Sequence, residues 1–326
     1  MYELTVLSTN KGAPGVVTEG LGKRYDDLWA LRDLDLEVPA GAVLGLLGHN
    51  GAGKTTAIRI LSTLARPTTG RAWVAGFDVS EHPREVRASL GLAGQYATVD
   101  GLMSARANLE MVGRLYHLPR AEAKRRADEL LERLGLTEAA DRLVRTFSGG
   151  MRRRLDLAAS LVARPAVLFL DEPTPGLDPQ SRNELWELLR ELVADGATLV
   201  LTTQYLEEAD RLADDIVVLE RGRVAATGSP SELKARVGGE RLEVTVGDTE
   251  HLAPAVSALG TFADGPSDAD GLRVTIPVRA GTRLMEVARA LDGAHVDVTD
   301  VHRREATLDD VFLTLTGAAA ALRKAA

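Results

Sequence analysis

A glycine-rich stretch near residue 50 has the spacing of a loop that binds phosphate. Residues 48–56 read Gly-His-Asn-Gly-Ala-Gly-Lys-Thr-Thr, which matches the pattern G-x-x-x-x-G-K-[ST]. In such a loop the backbone N–H groups surround a phosphate, and the positive end of the following helix adds to the attraction. Lys54 is expected to reach the β- and γ-phosphates, and the Thr55 hydroxyl to bind Mg²⁺. The predicted nucleotide contacts are Gly48, Asn50, Gly51, Ala52, Gly53, Lys54, Thr55 and Thr56.

Two adjacent carboxylates follow an apolar strand further along the chain. The run Leu168–Leu170 ends directly at Asp171 and Glu172. A parallel sheet presents its ligands at the carboxyl ends of its strands, so Asp171 is expected to hold Mg²⁺. Glu172 is expected to accept a proton from the water that attacks the γ-phosphate. A solvated acidic turn would give the same pattern, but the phosphate loop upstream favours a catalytic pair.

The segment Ser148-Gly149-Gly150 predicts a second anion site. It places a hydroxyl and two glycines at the start of a helix, where backbone N–H groups are free to bind an anion. An ordinary helix cap with a glycine turn would also explain these residues. One domain, however, does not need two sites for a γ-phosphate, whereas two copies that face each other could complete each other's site. We therefore interpret the segment as a contact to nucleotide held by a second copy.

The hydrophobic pattern indicates the elements that position these residues. The nearly unbroken apolar run Ala42–Leu47 is typical of a strand buried on both faces of a parallel sheet, and Thr56–Leu61 indicates a helix. Residues about 96–163 place apolar side chains three or four apart and predict a helical insertion. Asp178 is expected to cap a helix that begins with Pro179.

The pattern changes near residue 229, where a separate small α+β domain is predicted. A capping box at Ser229–Glu232 begins a short helix, and a second one at Thr307–Asp310 begins the last helix. Between them the sequence predicts strands at 242–246, 272–276 and 296–298 and a helix at 284–291. The predicted domain boundaries are a loose tail at 1–15, a nucleotide-binding domain at 16–228 and an accessory domain at 229–326.

The composition is that of an ordinary globular protein. The chain has 326 residues, 45% hydrophobic and 26% charged, with a formal net charge of −8. No apolar run approaches the roughly 18 residues of a membrane span, and the N-terminus lacks the pattern of a secretory signal. Cysteine is absent, which excludes disulfides and cysteine-bound metals. The acidic balance argues against non-specific nucleic-acid binding.

In combination, these motifs resemble the ATP-binding subunit of an ABC transporter. The phosphate loop is similar to its Walker A motif, Ser148–Arg152 to its signature motif, and Leu168–Glu172 to its Walker B strand. The resemblance implies an α/β fold of the P-loop NTPase class, a RecA-like core with a β-subdomain and a helical insertion, plus the small C-terminal α+β domain. It also implies that Tyr25 stacks on adenine, that Gln95 contacts nucleotide and Mg²⁺, and that Asp178 belongs to the D-loop.

One position departs from the family pattern. Gln204 stands where the family usually has a histidine that contacts the γ-phosphate and helps to organise the attacking water. Glutamine can donate a hydrogen bond there but cannot become cationic. This glutamine, together with the ending Leu308–Gly317, resembles the ATPases of daunorubicin/doxorubicin-resistance exporters. The resemblance narrows the expected function to ATP-driven export of a drug or natural product.

The resemblance implies a homodimer that closes head to tail around two Mg·ATP. Each site would take Lys54, Glu172 and Gln204 as catalytic residues from one chain and the Ser148 segment with Asp178 from the other. A membrane permease on a separate chain would place the protein at the cytoplasmic face of the membrane, and no nucleic acid is expected. Two alternatives remain. The first is an ABC-type ATPase that acts on nucleic acid or ribosomes, although the basic triplet Arg152–Arg154 is better interpreted as a solvated face of its helix. The second is a non-hydrolysing nucleotide-dependent binding module.

Overall fold

The computed structural model of the chain describes residues 14–94, 99–236, 240–279 and 281–315. The chain divides between Thr227 and Gly228 into two units. The strands up to this division are β1 (Val16–Tyr25), β2 (Leu28–Val38), β3 (Val43–Leu47), β4 (Thr69–Val74), β5 (Phe77–Asp78), β6 (Leu90–Ala93), β7 (Val167–Asp171), β8 (Thr198–Thr203), β9 (Asp215–Glu220) and β10 (Arg223–Gly228). The helices are α1 (Lys54–Leu61), α2 (Pro83–Ser89), α3 (Ala105–Leu115), α4 (Arg120–Arg133), α5 (Gly149–Leu161), α6 (Pro179–Ala194) and α7 (Leu206–Leu212).

A central sheet in the order β10-β9-β3-β8-β7-β6 carries the predicted chemistry. The pairs β9–β3, β3–β8, β8–β7 and β7–β6 are parallel. Alternate residues of β7 enter two different cores: Leu168 and Leu170 face one, and Val167 and Phe169 face the other. Burial on both faces explains why the central strands are continuous apolar runs rather than alternating ones. Because the strands are parallel, the carboxyl ends of β3, β7 and β8 meet at one edge.

Each face of the central sheet is covered by a different layer. On one side lies an antiparallel sheet in the order β2-β1-β4-β5, together with α1. On the other lies a helical layer of α3, α4 and α5, with short 3-10 turns at Thr137–Ala139 and Val144–Thr146. Gly113 allows α3 to approach α4 closely, since a Cβ there would lie 2.9 Å from the Ala123 Cβ. The helices of the insertion thus pack on the core by their apolar faces.

The second unit contains an antiparallel sheet in the order β12-β13-β11-β14. Its elements are α8 (Pro230–Arg236), β11 (Glu240–Val246), α9 (Leu252–Leu259), β12 (Asp268–Asp270), β13 (Arg273–Pro277), α10 (Leu284–Gly293), β14 (Val298–Glu305) and α11 (Leu308–Leu315), with a 3-10 turn at Thr249–His251. Helices α9 and α10 pack on the face of β11 that presents Leu242, Val244 and Val246. The opposite face presents Arg241 and Glu243, both buried.

The strand expected at 296–298 lies further along the chain, because β14 begins at Val298 and continues to Glu305. Its polar composition gives no alternating apolar pattern from which to predict a strand. Arg304, for example, is only partly exposed and pairs with Glu243 and Asp310. Both capping boxes are present: Ser229 N–H donates to Glu232, and Thr307 N–H donates to Asp310. Within the described ranges, no helix has the length and apolar character required to cross a bilayer.

Candidate active site

The phosphate loop connects β3 to α1 and depends on its glycines. Gly48, Gly51 and Gly53 have positive φ angles of 157°, 83° and 111°. A Cβ at Gly53 would lie 2.6 Å from the Ala30 carbonyl oxygen. A side chain there would therefore be strained both by its own backbone and by its neighbour. The loop follows the sequence expectation of strand, glycine turn and helix.

A cavity of about 580 Å³ opens in front of this loop. Besides loop residues 49–56, it is lined by Leu28, Trp29, Ala30, Glu172 and Arg221. The aromatic residue at this cavity is Trp29, whereas Tyr25 does not line it. Tyr25 lies at the end of β1, half-exposed, with the Lys23 ammonium 5.0 Å from its ring centre.

Lys54 is held inside the loop by backbone carbonyls. Its ammonium donates hydrogen bonds to the carbonyl oxygens of Gly48 at 2.6 Å and His49 at 3.3 Å. It also lies 3.7 Å from a carboxylate oxygen of Glu172. Burial lowers the pKa of Lys54 from its ordinary value, while the nearby carboxylates of Glu172 and Asp171 oppose that shift. The arrangement places a cation directly beside the Glu172 carboxylate and the phosphate loop.

Asp171 is oriented by two hydroxyl groups. The Thr202 hydroxyl donates to its Oδ1 at 2.5 Å, and the Thr55 hydroxyl donates to the same oxygen at 3.2 Å. Hydroxyl and carboxylate oxygens are the hard ligands that Mg²⁺ prefers, and phosphate oxygens and waters commonly complete its octahedron. The oxygens of Thr55 and Asp171 therefore fit a magnesium ion at the mouth of the loop. The ordering role of Thr202 was not predicted, because a buried threonine in an apolar strand gives no sequence signal.

Glu172 has a backbone conformation that ordinary residues seldom adopt. Its φ is +50°, in the left-handed region. Its N–H donates to both the carbonyl oxygen and the hydroxyl of Thr202, each at 3.1 Å. A non-glycine residue in this region costs about 1–2 kcal/mol and persists only when its surroundings fix it. Strand β8 supplies part of that restraint and aims the carboxylate toward Lys54.

A second cluster forms where α5 begins. The Ser148 hydroxyl accepts from the Met151 N–H at 3.2 Å and caps α5. Gly150 packs against Ser181, whose hydroxyl would lie 2.6 Å from a Cβ at that glycine. Ser181 in turn donates to Asp178, which caps α6, and this hydrogen bond lowers the pKa of Asp178. Ser148, Gly149, Gly150 and Asp178 are therefore grouped together, with Ser148 and Gly149 exposed.

Gln204 and Gln95 are two further residues of the predicted site. Gln204 follows the carboxyl end of β8 and is exposed, one residue after Thr203 and two after Thr202. That edge of the sheet is also where Asp171 lies. Gln95 lies outside the described residues. The last described residue before it, Gly94, follows β6.

The interpretation of Arg152–Arg154 as a solvated face is wrong for Arg153. Its guanidinium donates to the carbonyl oxygens of Pro173 at 2.7 Å, Gly94 at 2.7 Å and Glu172 at 3.2 Å. The sequence could not predict this, because three consecutive arginines look alike. A long arginine side chain can lie at a half-exposed position and still reach buried carbonyl groups.

Glu208 is a second buried charge-bearing residue that the sequence did not reveal. It is fully buried and accepts a hydrogen bond from the Trp186 indole at 3.2 Å. Burial raises the pKa of its carboxyl group. In the sequence it follows Glu207 on a short acidic helix, which is the usual appearance of a solvated turn.

Comparison with known families matches both units. Residues 31–175 match the family described as ABC transporter, and residues 228–316 match the family described as ATP-binding protein DrrA1-3-like, C-terminal domain. The expected fold, an α/β P-loop core with a helical insertion and a C-terminal α+β domain, is confirmed by these matches and by solved cassettes of the same architecture.

Similar proteins cover nearly the whole chain. The daunorubicin resistance ATP-binding protein DrrA2 of Streptomyces coeruleorubidus is 56% identical over 93% of this chain and 95% of its own length. The daunorubicin/doxorubicin resistance ATP-binding protein DrrA of Streptomyces peucetius is 48% identical over 93% of this chain and 92% of its own. The Nod factor export ATP-binding protein I of Ralstonia nicotianae is 39% identical over 93% and 94%.

Among solved structures, cbiO1 of Clostridium perfringens, part of the ABC transporter complex cbiONQ, superposes with a TM-score of 0.64. It is 29% identical and covers 68% of this chain and 91% of its own.

Proposed function

This chain belongs to the ATP-binding subunits of ABC transporters and is an ATPase that drives export, and from its site we propose how it uses ATP. The proposal depends most on one observation: Lys54, Glu172 and Asp171 meet at the mouth of the phosphate loop. ATP binds with its phosphates in that loop, and hydrolysis is catalysed by Glu172 as the base. The named relatives act in drug resistance and export, and none of the names points to nucleic acid or ribosomes.

The polyphosphate chain lies against the N-terminus of α1. Backbone N–H groups of residues 50–56 bind the phosphate oxygens, and the Lys54 ammonium moves from the Gly48 carbonyl to the β- and γ-phosphates. Glu172 then accepts a proton from the attacking water. Gln204, at the same edge of the sheet, donates a hydrogen bond to the γ-phosphate. Thr55 and Asp171, with Gln95, would hold Mg²⁺, which would supply positive charge to neutralise the phosphates.

Two copies of the chain complete each site. The Ser148 segment and Asp178 form a separate cluster with exposed serine and glycine, suited to meet a γ-phosphate held by another copy. ATP therefore favours closure of the pair, and hydrolysis releases it. Tyr25, which does not line the cavity within one chain, would contact the adenine at its rim.

The exported molecule is a drug or natural product, as in the named relatives, and passes through a permease on a separate chain. The helical layer that follows Gly94 would meet the permease, and Gln95, the next residue in the sequence, would couple the state of the nucleotide to that layer. It exposes Leu102, Leu115 and Leu143. Such apolar side chains on one layer suit a protein partner. The protein would then work at the cytoplasmic face of the membrane.

A complementation experiment tests the shared site. A cavity of about 620 Å³ is lined by Asn50, Glu172 and Gly149 of the same chain. The competing arrangement is therefore one in which the Ser148 turn of a chain contacts the nucleotide bound by that same chain. Lys54→Ala and Ser148→Arg chains are each expected to hydrolyse no ATP. Mixed, they would form a dimer with one intact site if the turn comes from the partner, and none if it comes from the same chain.

Restored ATP hydrolysis on mixing supports the proposal, and the absence of hydrolysis at every mixing ratio contradicts it. As a second measurement, the Glu172→Gln chain should retain ATP and form a dimer in analytical ultracentrifugation. A monomer saturated with ATP would refute the shared site, and undiminished turnover by Glu172→Gln would refute the choice of base.

A further inference from the structure

Arg153 connects three segments that the proposed mechanism uses separately. It belongs to α5, the helix that begins at the Ser148 turn. Its guanidinium donates to the carbonyl of Glu172, to that of Pro173, and to that of Gly94, the residue before Gln95. Each of these acceptors is a backbone group just after the end of a strand, β6 or β7. A planar guanidinium with several fixed donors is suited to hold such a set of acceptors, whereas a flexible ammonium is not.

The contact with Glu172 completes the restraint on an unusual residue. The N–H of Glu172 is held by Thr202 from strand β8, and its carbonyl is held by Arg153 from helix α5. With both backbone groups bonded, the left-handed conformation at φ +50° is maintained. That conformation decides where the carboxylate points, and the carboxylate lies 3.7 Å from Lys54.

The charge on Arg153 fits a role in positioning better than a role in surface solvation. The side chain is partly buried, and burial lowers the pKa of its guanidinium, with Asp156, Glu208 and Asp171 opposing that shift. Its neighbours on the helix behave differently. Arg152 is exposed, and Arg154 lies 3.5 Å from Glu184 on helix α6.

We propose that Arg153 is a positioning residue for ATP hydrolysis: it fixes the backbone of the base Glu172 and ties it to the helix that carries the Ser148 turn. The inference rests on the proposed role of Glu172. The three hydrogen bonds of Arg153 go to segments outside the phosphate loop, so we expect nucleotide binding to depend on it little. Its effect falls on the turnover step, where a small displacement of the base is costly.

Steady-state ATP hydrolysis by the full-length chain tests the proposal. Arg153→Lys keeps the charge but loses the fork of donors. We expect kcat to fall roughly 10- to 100-fold, since misplacement by about 1 Å can cost that much. The KM for ATP and the affinity for a non-hydrolysable ATP analogue should stay within about two-fold of wild type. Arg154→Lys is the matched control on the same helix, expected to leave kcat unchanged.

A double-mutant cycle separates positioning from general structural support. If Arg153 acts through Glu172, Arg153→Lys should add less than about two-fold to the single-turnover defect of Glu172→Gln. Should Arg153→Lys fail to fold, judged by thermal unfolding, Arg153→Gln serves instead, because it keeps a donor without a buried charge.

Three outcomes would overturn the inference: a kcat for Arg153→Lys equal to that of Arg154→Lys, a loss of nucleotide affinity as large as the loss of kcat, or full additivity with Glu172→Gln. Each leaves the proposed function intact if wild type hydrolyses ATP and Glu172→Gln does not. Failure of those two controls would instead refute the proposed function.

Discussion

Replacing Thr202 with valine removes one hydroxyl from the edge of the sheet where Asp171 and Glu172 lie, and leaves the shape of the side chain almost unchanged. That hydroxyl donates to Asp171 Oδ1 at 2.5 Å and accepts from the Glu172 N–H. The Glu172 N–H keeps a partner in the variant, because it also donates to the Thr202 backbone carbonyl at 3.1 Å. The main loss is therefore one hydrogen bond to a buried carboxylate.

The size of the effect follows from the charge of the acceptor. A hydrogen bond to a charged group contributes about 1.5–3 kcal/mol, and a valine of the same shape leaves no cavity. For a unit of this size, about 1 kcal/mol shifts the unfolding midpoint by 2–4 °C, so the first unit should melt roughly 3–12 °C lower. Hydrolysis should fall roughly tenfold or more, since groups that orient a metal ligand have effects of 10- to 100-fold.

Thr198→Val is the matched control. Thr198 lies on the same strand, is also buried, and accepts from the Gly41 N–H at 3.0 Å, remote from Asp171. Losing that acceptor should cost about 1–3 kcal/mol of stability and leave hydrolysis intact. Tryptophan fluorescence reports both transitions cleanly, because all three tryptophans lie in the first unit: Trp29, Trp73 and Trp186.

The two variants should thus resemble each other in thermal unfolding and differ in ATP turnover. Equal turnover in both would show that Thr202 does not orient Asp171. A stability loss in Thr198→Val alone would show that the short hydrogen bond to Asp171 contributes nothing net.

Three further substitutions test other parts of the site. Gly53→Ala should weaken ATP binding about tenfold or more, because strain of roughly 1–3 kcal/mol is added where a Cβ meets the Ala30 carbonyl at 2.6 Å. Titration with a fluorescent ATP analogue measures the affinity, and an unchanged affinity would contradict the loop geometry. Glu208→Gln should raise stability at neutral pH. Because burial raises the pKa of the Glu208 carboxyl group, its contribution to folding stability is fully present below its ordinary pKa of 4.5. That stability is lost as the pH rises through the pKa of the folded state. Denaturation at several pH values should show this dependence in wild type only, and equal slopes would contradict it. Gln204→His should keep or raise ATP hydrolysis, and a severe loss would show that the local geometry depends on glutamine.

The sequence predicted the site best where backbone geometry itself leaves a mark on residue type. The glycines of the phosphate loop are required by positive φ angles, so their spacing can be read directly. Asp171 and Glu172 stand out because a buried strand ends at them. The two capping boxes at Ser229 and Thr307 were found for the same reason, since a cap needs a defined side chain at a defined spacing.

What the sequence did not reveal are polar residues whose partners come from other elements. Arg153 binds backbone carbonyls, which every residue has and which therefore leave no mark on the sequence. Thr202 contacts a carboxylate on the neighbouring strand. Glu208 becomes buried only because α7 packs beside Trp186 of α6. Strand β14 was placed too early for a related reason, since Arg304 is satisfied by Glu243 across the sheet. In each case the partner is distant along the chain, and a local pattern cannot identify it.

The same contacts couple Glu172 mechanically to the Ser148 turn. Glu172 is fixed from two sides, by strand β8 at its N–H and by helix α5 at its carbonyl. Helix α5 also presents Ser148 at its first turn, about 7.5 Å along its axis from Arg153 at 1.5 Å per residue. A helix this short is stiff, so any shift of α5 against β7 moves the serine turn and the support of the base together. In the dimer proposed above, contact between that turn and a nucleotide on the partner copy would therefore be transmitted to the chain's own Glu172, and each site would have a physical means of sensing whether the opposite one is filled.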